Sequence, residues 1–186
     1  MDTTTLIIVG VAIVVVAIIA VVALMAWNRK RENERLQETF GTEYDQTYAT
    51  AADRKAAKES LKTREERVRS YELRALDTDE RHRFAAEWQS MQATFVDDPK
   101  TAVSRADRLL AEVMRARGYQ TDLRDENARI EDVSVGHGDE AAAFREASHI
   151  AALNRDDRAT TEDLRQAIKD YGIVFDSLLV ERQPVS

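Results

Sequence analysis

Hydrophobic positions in this chain follow two patterns. From Leu6 to Trp27 the sequence LIIVGVAIVVVAIIAVVALMAW is apolar without a break. Beyond it, apolar residues recur at intervals of three and four, as on one face of a helix. As a helix the first run spans about 33 Å, close to the ~30 Å hydrocarbon core of a bilayer. Its valines and isoleucines would favour a strand in water. In lipid the backbone must bond to itself, which leaves a lone segment only the helix. Trp27 suits the interface belt at one end.

A cleaved signal peptide would need a basic start, a shorter apolar core and a small-residue cleavage site. The start MDTTT holds an acid and no base, and ALMAWN matches a cleavage site poorly. The reading is therefore an uncleaved anchor over 6–27. Arg29, Lys30, Arg31 and Arg35 follow it directly, whereas the other flank carries only Asp2. The positive-inside rule then puts residues 1–5 outside and the rest of the chain in the cytoplasm. As a stop-transfer flank these bases need no specific lipid partner.

Residues 28–46 read as a juxtamembrane linker, interrupted at Gly41 within FGTEYD. Residues 47–75 read as one charged helix. Ala57, Leu61, Val68, Tyr71 and Ala75 form a narrow seam broken by Arg64. The seam is short and weak for a dimerising coiled coil and fits better a long helix laid against the domain by one thin stripe. Arg54, Lys58, Lys62 and Arg69 tint its other side basic.

Residues 76–181 read as an antiparallel helical bundle. Asp77 with Glu80 makes a capping box ahead of Phe84, Trp88, Met91 and Phe95. Asp98 can cap the next helix and Pro99 suits its first position. Val103, Ala106, Leu110, Val113 and Met114 give that helix its buried stripe, and Gly118 closes it. Its outer residues Arg105, Asp107, Arg108 and Glu112 alternate in sign and read as a solvated face. A short helix is expected over Asp122 to Ile130, then a loop at VSVGHGDE. A helix from Asp139 to Asn154 buries Phe144, Ala147, Ile150 and Ala151. The last helix opens on Thr160 with Asp163 and carries Leu164, Ile168, Tyr171, Phe175 and Leu178. Gly172 weakens it unless close packing requires it. Residues 182–186 read as a frayed tail.

Composition narrows the chemistry. The chain of 186 residues has a net charge of −7 and no cysteine. Thiol catalysis, disulfides and Cys-based metal sites are excluded. A net acidic chain gains no general counterion-release advantage on nucleic acid, so none is expected as a partner. His82 lies between Arg81 and Arg83, His137 between two glycines, and His149 three residues after Glu146. His82 beside two cations is a poor metal ligand, and His137 reads as an exposed loop histidine. A Glu-x-x-His pair can serve a di-iron bundle, but no second such motif occurs here. Catalytic, cofactor-binding and metal residues are therefore assigned as none.

FGTEYD, FVDDPKTAVSRADRLLAEVMRARGY and TEDLRQAIKDYGIVFDSLL together give a resemblance. The chain resembles a group of uncharacterised bacterial single-pass membrane proteins with an acidic helical domain, over most of residues 38–180. The resemblance implies an anchored helical domain, and it brings no activity and no site residue. Gly172 departs from the group's pattern.

The expectation is an all-α protein: a transmembrane helix, a long charged helix and an antiparallel bundle. Its expected function is that of a membrane-tethered interaction module without catalysis. It would sit in the cell membrane through residues 6–27, with an unidentified protein or a second copy as partner. The alternatives are a membrane-surface or nucleic-acid module using the bases of 54–69, or a cryptic metal-dependent enzyme.

Overall fold

The computed structural model describes the backbone of residues 3–180 and the side chains of residues 16–180. The described chain is helical throughout, without a strand. Its elements are α1 (Thr3–Phe40), α2 (Thr42–Thr50), α3 (Arg54–Arg69), α4 (Thr78–Asp97), α5 (Pro99–Ala116), α6 (Glu126–Ser134), α7 (Gly138–Arg155) and α8 (Thr161–Leu179). Contacts divide it into two compact units, Met1–Glu38 and Thr39–Ser186. The tail at 182–186 lies outside the described residues.

The first unit is most of α1. The stretch from Asn28 to Phe40 has no Gly or Pro to stop it, so the segment read as a linker is helical up to Phe40. Among the described residues no helix is long and apolar enough to cross a membrane. The described side chains begin at Val16, so those of Leu6 to Val15 in the proposed anchor lie outside them.

In the second unit α4, α5, α7 and α8 pack around one apolar core. Asp77 accepts from the Glu80 amide while Glu80 reaches back to the Asp77 amide, the reciprocal capping box that starts α4. Arg74 grips the same Glu80 and holds its carboxyl down to about 2. One residue, Asp98, ends α4 and caps α5 through the Thr101 amide at 3.0 Å. So short a connection turns the two helices antiparallel. The stripe Val103, Ala106, Leu110, Val113, Met114 is buried throughout. Thr160 and Asp163 cap α8 reciprocally. Trp88 stacks on Phe175 with ring centroids 4.6 Å apart. Gly172 has a packing reason: a Cβ there would lie 3.3 Å from Trp88 Cζ2, tighter than ordinary contact.

The remaining helices differ from the sequence reading. The single helix expected over 47–75 is two pieces. α2 stops at Thr50, Ala51 turns extended, and Asp53 caps α3 by accepting from the Ala56 amide at 2.8 Å. Beyond Ser70 the chain leaves the helix because it docks elsewhere: the Arg74 amide donates to the Arg117 carbonyl at 2.9 Å, and Leu76 enters the core. Ala57, Leu61 and Val68 of the seam are buried, while Ala75 is exposed beyond the helix end. So α3 rests on α2 and α6 by one stripe. The helix expected over 122–130 starts later, at Glu126, because Asp122 closes a turn on the Asp125 amide and Asp125 takes the cap. It also runs to Ser134, so part of VSVGHGDE is helix, and only Val135 to His137 connect it to α7.

Candidate functional site

The three histidines go to three different places. His82 on α4 and His149 on α7 are exposed, as is Glu146. His137, expected in an exposed loop, is only 4% exposed. It occupies the residue before α7, and its Nδ1 lies 2.6 Å from Ser177 Oγ of α8. The next residue is packed tightly too, since a Cβ on Gly138 would fall 1.7 Å from the Phe40 carbonyl oxygen. A hydroxyl beside an imidazole is the start of a nucleophile. Here Ser177 is also closed off, at 9% exposure. The pair ties the start of α7 to the end of α8. Among the described residues no three His, Asp or Glu side chains gather as metal ligands.

Sequence reasoning missed two buried polar groups. Asp107, assigned to a solvated face, accepts from Arg129 Nη2 at 2.8 Å and from the Tyr171 hydroxyl at 3.1 Å. Arg129 and Tyr171 are among the largest fully buried side chains. Burial, then the Asp107 charge, pushes the Tyr171 phenol far above its ordinary range. Arg117, at the end of α5, is buried and donates from Nη1 to the Leu178 carbonyl at 2.7 Å. It thereby satisfies an end carbonyl of α8 with a cation at the negative pole of that helix.

The second group is a chain of charges across α2, α3, α6 and α7. Glu43, 3% exposed, accepts from Arg64 at 3.0 Å and from Arg145 at 3.0 and 3.1 Å. Arg64 also reaches Glu131 at 3.5 Å, and Glu131 meets Arg67 at 3.0 Å. Arg67 donates from Nε to the fully buried Asp132 at 2.7 Å, where Tyr71 also donates at 2.9 Å. Burial first, and the Asp132 bond second, push the Tyr71 phenol up to about 12. The carboxylates of this chain already serve guanidinium or phenol donors, an arrangement suited to holding helices rather than to shuttling protons. Of the acidic signals, the spacing of Asp132 from Ile130 and Val133 gave no hint of this role.

Two surfaces remain open. In α1, Val16, Ile18, Ile19, Val21, Val22, Leu24, Met25 and Trp27 are all at least half exposed. Arg31 lies over the Trp27 ring, 4.6 Å from its centroid. Between α4 and α5, Glu87, Met91, Arg105, Arg108, Leu109 and Glu112 line an open groove of about 240 Å³. That is below the roughly 300–1,000 Å³ usual for a small-molecule pocket, and its charges balance. Family models, curated proteins and solved structures were each compared with the chain, and none matches.

Proposed function

We propose that this protein is a membrane-tethered helical interaction module, held in the cell membrane by α1 and without catalysis. The exposed apolar band of α1 carries the reading. Eight large apolar side chains between Val16 and Trp27 are uncovered on a single helix. Left in water they would cost roughly 25 cal/mol per Å² of apolar surface, so something apolar covers them. The sequence continues the same character back to Leu6, giving a length suited to a bilayer. Trp27 with Arg31 stacked on it suits the interface, where an aromatic body sits at headgroup level and a cation points to water. The bases after Trp27 favour a cytoplasmic domain.

The resemblance to the bacterial single-pass group supports the same arrangement, and membership of that group is part of the proposal. The partner is a protein, or a second copy, that meets the charged outer helices. Absence of catalysis is inferred from how the polar groups are used: Ser177, His137, Asp107 and Asp132 are all committed to bonds between helices.

Carbonate extraction and protease protection on intact cells test it together. The full chain should stay with the membrane pellet at high pH, and external protease should leave the domain beyond residue 40 whole. Release into the supernatant would remove the anchor. Digestion of the domain would reverse its orientation.

A further inference from the structure

The helix that follows α1 is built unlike the rest of the domain. Only two residues of α2 are buried, Glu43 and Thr47, and neither is apolar. Nine residues are too few for a helix to persist alone in water, where about 12–15 is marginal. Its first residue, Thr42, follows Gly41, which has no side chain to cap with and sits at φ +48°. The cap is supplied by another helix: the Thr42 amide donates to Asp139 Oδ1 in the first turn of α7, at 3.0 Å. Arg145, further along α7, then holds Glu43 through both carboxylate oxygens and Gln46 through its amide oxygen at 3.0 Å. Arg64 of α3 completes the grip on Glu43. The buried Thr47 hydroxyl has no partner, which subtracts from the gain.

We propose that α2 is a charge-latched strap, which undocks from α7 and melts as a unit while α4, α5, α7 and α8 stay folded. Its attachments are a trans cap and guanidinium–carboxylate bonds, and Arg145 is 39% exposed on its side chain, so salt reaches the latch. α2 itself brings no fully buried apolar side chain to the domain, so its opening is cheap relative to global unfolding. The consequence for function rests on the membrane reading above. Melted, these nine residues stretch from about 14 Å of helix to about 30 Å of chain. The connection between α1 and α3 gains slack, and the face of α7 around Arg145 is freed for a partner with acidic groups. The undocking itself does not depend on where α1 resides.

Amide hydrogen exchange of the full chain in detergent micelles, read by mass spectrometry of its peptides, tests the strap separately from the anchor. The amides of α2 should exchange well before those of α5 and α8. Raising sodium chloride from about 0.05 M to about 0.5 M should speed α2 most and leave α5 and α8 unchanged. Glu43→Gln, nearly isosteric, and Asp139→Ala, which removes the oxygen that accepts the Thr42 amide, should each speed α2 exchange roughly tenfold and leave α5 and α8 unchanged. The proposal is overturned if α2 exchanges in step with α5 and α8. It is overturned equally if both variants leave α2 protection as it was, or if they loosen the whole domain together.

Discussion

The two sides of the domain are held by different forces. α4, α5, α7 and α8 bury Phe84, Trp88, Leu110, Phe144, Phe175 and their neighbours in one apolar core. α2 and α3 are attached largely through Glu43, Arg64, Arg67, Glu131 and Asp132, and α6 belongs to both sides, since its Ile130 and Val133 enter the apolar core. Apolar burial is non-directional and scales with area, so the first set tolerates small shifts. Ion pairs and hydrogen bonds need their geometry and lose most of their advantage when one partner is removed. The domain is therefore firm at its core and adjustable at α2 and α3, the helices that follow α1 in the chain.

The largest effect is expected at the core. Trp88→Ala should cost about 3–5 kcal/mol, because the indole is buried and stacked on Phe175. Urea unfolding of the full chain, followed by far-UV circular dichroism, measures it, and a midpoint that barely moves would undo the assignment of Trp88 to the core. Next comes the polar side. Asp132→Ala should cost about 2–3 kcal/mol, less than a fully buried pair because Arg67 can turn towards water. The loss should appear first as hydrogen exchange in α3 and α6. If α8 lost protection to the same degree, the two sides would be one cooperative unit.

Arg117→Met should cost about 1–2 kcal/mol, since the bond to the Leu178 carbonyl goes while the apolar stem is kept. Faster exchange confined to the last turn of α8 is the signature. The smallest effect has the opposite sign. Asp170 is buried, its Oδ2 has no partner, and burial raises its carboxyl above the ordinary value. Gln166 donates to the other oxygen and Lys169 opposes the shift, while Glu146 adds to it. The native state then holds this proton more tightly than the unfolded chain. The cost is full above the folded value and is relieved as pH falls through it towards the unfolded value. Asp170→Asn should stabilise the domain by about 0.5–1 kcal/mol at neutral pH. It should also flatten the stability curve on its acid side. A destabilised variant at neutral pH would show that the carboxylate is satisfied.

Local chemistry in the sequence determined a large part of this protein. The caps at Asp77, Asp98 and Thr160 act on amides three residues away, so their effect is written beside them. The stripes of α4, α5, α7 and α8 follow from helix period alone, and they already defined the core. The apolar run from Leu6 to Trp27 is likewise a property of adjacent residues. Asp53 was a legible cap that the charged seam around it obscured.

Tertiary structure decided whatever depends on distant partners. Asp107 looks solvated on its own helix, and only Arg129, 22 positions on, and Tyr171, 64 positions on, turn it into a half-buried anchor between helices. His137 looks exposed between two glycines, yet it is buried with its Nδ1 against Ser177, 40 positions on. The helix expected over 47–75 ends early because Arg74 finds the carbonyl of Arg117, and the start of α2 is capped by Asp139 from 97 positions away. A charged side chain carries no local mark of whether it will meet water or a counter-charge. That choice is made by which helices pack together, and helix period reports only the apolar half of it.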